Sequence, residues 1–112
     1  MTFDAKLEMA GVVAKIYLSG ELDAAAAPGF RAVVEEAIDL GARRLVLLMN
    51  DLEYLASAGL RVLIFAKQKI GVEGDIYLIG AQKPVFETIT MTGFNHGVTM
   101  LEQYDAAEIE NI

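Results

Sequence analysis

The chain holds two serines, Ser19 and Ser57, and one histidine, His96. Ser57 sits in Tyr54-Leu55-Ala56-Ser57-Ala58-Gly59-Leu60, where an apolar strand and a short connection hand over to a long apolar helix. A hydroxyl at or next to a helix N-cap can satisfy one of the unpaired N–H groups of the first turn, and the helix dipole favours negative charge there. The same spot is a seat for a phosphate. Arg61 follows four residues later, on the same helix face and one turn along. A phosphate on Ser57 would add about -1.5 to -2 charge, and a guanidinium one turn away could pair with it. The residues leave two roles open for Ser57, a helix cap or a regulatory site, and for Arg61 a solvated side chain or a phosphate partner.

Other chemistry finds little support. Serine hydrolysis needs a base and an oxyanion hole, but the lone His96 lies in Gly93-Phe94-Asn95-His96-Gly97, and Ser57 is not in a Gly-x-Ser-x-Gly elbow. No His and carboxylate pair has metal-ligand spacing on one face. Neither a P-loop nor a Gly-x-Gly-x-x-Gly turn occurs, so no cofactor is expected. With no Cys there is no thiol nucleophile and no disulfide, which fits a reducing compartment. The expectation is a binding protein and not an enzyme.

Composition narrows the partners. A net charge of -7 opposes binding to nucleic-acid phosphates, which needs clustered Lys and Arg. The longest uncharged apolar run, around Leu45 to Met49, falls far short of the roughly 20 residues of a membrane helix. Met1-Thr2-Phe3-Asp4-Ala5-Lys6 has no apolar segment of the signal-peptide kind, so a cytoplasmic location is expected. At 112 residues and 54% apolar, residues 1-112 suit one domain.

The elements that must position Ser57 follow from periodicity. Phe3, Ala5, Leu7 and Met9 alternate with Asp4, Lys6 and Glu8, a half-buried strand over Thr2 to Met9. Ala10-Gly11 turns it into a second strand over Val12 to Leu18, which ends at Gly20-Glu21-Leu22-Asp23. Pro28 suits a first helical turn, and Phe30, Val33, Val34, Ala37 and Ile38 recur at helical spacing up to a stop at Gly41. Leu45 to Met49 is apolar at every position, as a central parallel strand covered on both faces would be, with Asn50 to Glu53 as its connection. The helix entered at Ser57 is apolar over most of its circumference and is expected to be largely buried. A strand over Asp75 to Ile79, a helix opened by Pro84 with Val85, Phe86 and Ile89 inward, a short strand over Val98 to Leu101 and a terminal helical turn within Asp105 to Asn111 complete the order. After the hairpin, strand and helix alternate. The fold class is therefore α/β: an N-terminal β-hairpin, then helices alternating with mostly parallel strands in one open sheet with right-handed crossovers.

Three separated blocks carry a resemblance. Leu18-Ser19-Gly20-Glu21-Leu22-Asp23 followed by Ala27-Pro28, then Gly41-Ala42-Arg43-Arg44-Leu45-Val46-Leu47, then Tyr54-Leu55-Ala56-Ser57-Ala58-Gly59-Leu60-Arg61-Val62-Leu63, resemble the STAS domain of bacterial anti-sigma factor antagonists in order and spacing. The resemblance implies a module that binds an anti-sigma factor which is also a serine kinase. Binding is lost on phosphorylation of the matching serine, Ser57, and restored by a metal-dependent phosphatase. It implies a partner face at Asp23, Ala56, Ser57, Ala58, Gly59 and Arg61, and no cofactor, membrane or nucleic acid; the oligomeric state stays open, a dimer among the alternatives. The chain departs from the family pattern at Ala56, where Asp usually precedes the serine, and at Leu48 before Asn50, where the central strand usually carries Asp two residues before a Ser. Of three carboxylates commonly gathered near the phosphosite, Asp23 remains. Those departures keep a second reading open: a constitutive, non-phosphorylated STAS subunit similar to the partners of lipid-transport ATPases or to sensory scaffold components, with Ser57 as a cap.

Overall fold

The computed structural model describes residues 2–111. Strands β1 (Asp4–Ala10) and β2 (Val13–Leu22) form an antiparallel hairpin in which Ala10 faces Val13 and Asp4 faces Ser19. The turn is Gly11-Val12, one residue later than the sequence suggested, with Gly11 at φ 63° in the left-handed region that favours glycine. Helix α1 (Ala27–Asp39), strand β3 (Arg44–Leu55), helix α2 (Ser57–Ile70), strand β4 (Asp75–Ile79), helix α3 (Lys83–Met91), a 3-10 turn at Phe94–Gly97, strand β5 (Thr99–Leu101) and helix α4 (Ala106–Ile109) follow. The sheet order is β1-β2-β3-β4-β5, parallel from β2 onward, so β3 is central as its apolar run required.

Each strand pairs with the next in sequence, so crossovers of one hand place every connecting helix on the same face. The core follows that rule. Phe30, Val34 and Ala37 of α1, Leu60, Leu63 and Ala66 of α2, and Val85 and Ile89 of α3 pack with Ala14, Ile16, Leu18, Leu45, Leu47, Met49, Ile76 and Leu78. Alternate positions, Val13, Val46, Tyr77 and Ile79, point the other way. Ile109 and Tyr104 of the C-terminal segment cover them.

That cover is fastened by polar groups. Arg44 Nη1 donates to the carbonyls of Glu108 (2.9 Å) and Ile109 (2.8 Å), and its Nε donates to Asp75 Oδ2 at 3.1 Å. Lys15 Nζ lies 3.4 Å from Glu110 Oε2 and 4.8 Å from the centroid of the Tyr104 ring, and the Tyr104 hydroxyl donates to Glu110. Asp105 opens α4 by accepting from the N–H groups of Ala107 and Glu108. Donation from Tyr104 and the Lys15 charge hold the Glu110 carboxyl below its ordinary pKa. The hydrogen bond with Tyr104, together with Glu110, raises Lys15 against the opposing effect of burial.

Three expectations are corrected. Asn50 to Glu53 is not a connection: β3 runs to Leu55 because β2 pairs beyond Leu18, with Ser19 opposite Asp51, Gly20 opposite Leu52 and Leu22 opposite Leu55. β4 pairs β3 only through Leu48, so the rest of β3 is half uncovered and its Asn50, Asp51 and Glu53 face solvent. Phe86 is not inward; α3 buries Val85 and Ile89, four residues apart, and Phe86 lies off that stripe with 46% of its surface exposed. Helix α2 is not largely buried: it buries Gly59, Leu60, Val62, Leu63 and Ala66, and Ile64 is 42% exposed.

Candidate functional site

The site begins where β2 and β3 end side by side. The Ala56 N–H donates to the Leu22 carbonyl at 2.9 Å, so the residue after each strand, Asp23 and Ala56, comes to one corner of the sheet. From there β2 feeds α1 and β3 feeds α2. Asp23 shapes the first exit: its Oδ1 accepts from the Ala26 N–H at 2.9 Å and its carbonyl accepts from the N–H groups of Ala26 and Ala27. A turn closed by a short side chain in this way leads straight into Pro28 in the first turn of α1.

At the second exit Ala56 is the N-cap of α2, extended at φ -84° and ψ 167°, and its carbonyl accepts the first helical bond from Leu60 N at 3.0 Å. Ser57 is the first helical residue. It is therefore not the N-cap, which corrects the cap reading: the register sits one residue earlier, at Ala56, which makes no side-chain capping bond. The first turn also carries no acidic residue, leaving the positive end of a 14-residue helix unneutralised by its own side chains. Ser57 is exposed.

Gly59 sets how closely that end approaches the sheet. A Cβ at this position would lie 2.7 Å from Leu22 Cγ and 2.8 Å from Leu55 Cδ1, so the α2 backbone rests directly on the last residues of β2 and β3. Ala58 and Arg61 turn toward α1, where they line an open groove of about 330 Å³ with Ala24, Ala27, Pro28, Arg31 and Val62. The six residues singled out in the sequence thus meet at one corner: Asp23 at the first exit, Ala56 and exposed Ser57 at the second, Gly59 underneath, Ala58 and Arg61 along the α1–α2 seam.

The lone histidine is elsewhere. His96 lines a depression with Asp75 and Ile76, the residues that open β4, whereas Ser57 follows the far end of β3. A serine–histidine pair is therefore ruled out by geometry. Among the described residues no cluster of three His, Cys, Asp or Glu side chains is placed to hold a metal ion, and no helix is long and apolar enough to cross a membrane.

Four features escaped the sequence reading. Tyr54, 49% exposed and opposite Glu21 in the ladder, stands beside the corner. Arg31 stacks on Phe65, its guanidinium carbon 3.9 Å from the ring centroid. The Leu22–Ala56 bond is a long-range pairing with no local signal; the C-terminal fastening had one, the Asp105-x-x-Glu108 pattern of a capping box.

The corner places an exposed serine at the start of a helix on an open α/β sheet of order β1-β2-β3-β4-β5. Comparison with known proteins gives the family. The STAS domain model matches residues 5–107. A relative from Bordetella bronchiseptica, "Putative anti-sigma factor antagonist BtrV", is 38% identical over 78 residues, covering 69% of this chain and 67% of the relative. The crystal structure of an anti-sigma factor antagonist from Mycobacterium paratuberculosis superposes with a TM-score of 0.89 at 20% identity, over 98% of this chain and 96% of that one. The Bacillus cell fate determinant SpoIIAA in its phosphorylated form superposes with a TM-score of 0.74 at 21% identity, over 96% and 97%. The chain belongs to the STAS-domain family of anti-sigma factor antagonists.

Proposed function

We propose that this protein is an anti-sigma factor antagonist that binds a serine-kinase anti-sigma factor, or a related switch kinase, through the corner formed by Asp23, Ala56, Ser57, Ala58, Gly59 and Arg61. Phosphorylation of Ser57 ends the binding and a metal-dependent phosphatase restores it. The observation that carries the reading is Ser57 itself, exposed, one residue past the N-cap position and seated at a helix start with no side-chain cap. A phosphate there meets backbone N–H groups and the helix dipole, so the fold tolerates it. A partner surface closed over the same dianion must desolvate or repel it, at a cost of several kcal/mol. The likeness to a SpoIIAA solved in a phosphorylated form supports a fold able to carry such a group.

Incubation with ATP and a co-encoded kinase should add one phosphate, placed on Ser57 by mass spectrometry. Ser57→Asp should weaken kinase binding while Ser57→Ala preserves it; equal binding by both would sink the switch. Ala56 favours a second reading, because the carboxylate that usually precedes the serine is absent. The chain would then be a constitutive subunit of a lipid-transport ATPase or sensory complex. Co-purification with a transporter ATPase, and no phosphate on Ser57, would decide for it.

A further inference from the structure

We propose that the groove between α1 and α2 seats a carboxylate-bearing segment of the protein partner, held between Arg31 and Arg61, and that a phosphate on Ser57 shuts this seat by drawing Arg61 away. The inference deepens the proposed function and rests on it for the identity of the partner as a protein.

The groove has a floor of small side chains, Ala24, Ala27 and Ala58, which lets a partner backbone come close. Two arginines, Arg31 and Arg61, line it, in a chain with 16 acidic residues against 9 Lys and Arg. Arg31 is held by its stacking on Phe65. Its ion pair with Glu35, at 3.8 Å between side chains that are each about half exposed, is of the weak surface kind and leaves the fork free to turn outward. Arg61 is exposed and forms no ion pair among the described residues. Arginine presents a planar fork that matches a carboxylate with two parallel hydrogen bonds, so the charge a partner must bring is negative.

Arg61 also lies one turn from Ser57. A dianion on Ser57 offers it a stronger and covalently tethered acceptor than any carboxylate of a partner, because the phosphate is present at high effective concentration. Phosphorylation would thus subtract a positive charge from the groove as well as adding a negative one at the corner.

The test is a titration of the whole protein with a ten-residue polyglutamate peptide, followed by backbone amide chemical shifts, with a ten-residue polylysine peptide as control. Saturable shifts are expected at Ala24, Ala27, Ala58 and Val62 with polyglutamate alone. Arg31→Gln and Arg61→Gln should each weaken binding at least fivefold, and Arg43→Gln, at the opposite end of β3, should leave it unchanged. Ser57→Asp should weaken it as Arg61→Gln does. Shifts centred on other basic residues, or unaltered affinity in Arg61→Gln with an otherwise native spectrum, would overturn the seat; unaltered affinity in Ser57→Asp would overturn the competition. No kinase enters this titration, so its failure with kinase binding intact refutes the groove alone. A clean titration with no kinase binding refutes the proposed function and leaves the groove standing.

Discussion

Two glycines occupy the third position of a helix in this protein, and they should respond to the same substitution with opposite sign. Gly29 in α1 has nothing within 4 Å of the place where a Cβ would sit, whereas Gly59 in α2 would put that carbon 2.7 Å from Leu22 Cγ and 2.8 Å from Leu55 Cδ1. Leu22 and Leu55 are 0% and 3% exposed and cannot swing into solvent. Alanine gains about 0.5–1 kcal/mol over glycine at a compatible helical position, so Gly29→Ala should be stabilising by that amount. Gly59→Ala receives the same gain and loses about 1–3 kcal/mol to overpacking, a net loss of up to about 2.5 kcal/mol. The helix position is shared, so the difference between the two variants, about 1–3 kcal/mol, isolates the steric contact. Urea unfolding with an unchanged slope would measure it, and the melting temperature should move by about 4 °C per kcal/mol for a chain of this size. Leu22→Ala, which alone costs about 2–5 kcal/mol, should cost less in the Gly59→Ala background than in the parent protein, with a coupling of about 0.5–3 kcal/mol. Equal stabilisation by both alanines would refute the close approach of α2 to the strand ends.

The other expectations concern the caps and the C-terminal fastening. Ser57→Ala should leave stability within about 0.5 kcal/mol, because no capping bond is lost, and a loss of 1 kcal/mol or more by urea unfolding would show that the hydroxyl does cap. Asp23→Ala should cost about 0.5–2 kcal/mol in the same assay through the bond from Ala26 N, and no change would refute that bond. Arg44→Met keeps the aliphatic stem but strips the donors from the carbonyls of Glu108 and Ile109, so amide exchange of Ile109 and Glu110 should speed up by about tenfold or more, corresponding to 1.5–3 kcal/mol for bonds from a charged donor; unchanged exchange would refute the fastening. Glu110 is held below its ordinary value of 4.5, so its contribution is present above pH about 4.5 and is lost as pH falls through the folded value. Melting curves of Glu110→Gln should therefore converge on those of the parent protein in that acid window, and a constant separation would refute the linkage.

How far the sequence could be read depended on whether the cause was local. The alternation of Ala5, Leu7 and Met9 with charged residues, the stripe of Phe30, Val34 and Ala37, and the unbroken Leu45 to Met49 run each state their own burial, and the structure agrees with all three. Polar Asn50 to Glu53 imitated a loop because the reason they extend lies 30 residues away, in the tail of β2, where two register shifts break the simple alternation. Leu48 and Val46 announced that the second face is covered, but nothing near them says that Ile109 and Tyr104 cover it. At the site, helical spacing paired Ser57 with Arg61 and the family resemblance added Asp23, while the one-residue difference between cap and first helical position needed the backbone angles of Ala56.

The order β1-β2-β3-β4-β5 has a consequence for how the chain is made. Each strand's neighbour is the one synthesised just before it, so no strand waits for a later partner and the sheet can grow from its N-terminal hairpin by adding one helix–strand unit at a time. The edges left at the two ends are poor templates for a stray chain: β1 carries Asp4, Lys6 and Glu8 along its outward face, and β5 is three residues long. The segment that carries Tyr104 and Ile109 packs on residues of β2, β3 and β4 together, so it can close that face only after all three strands are in place.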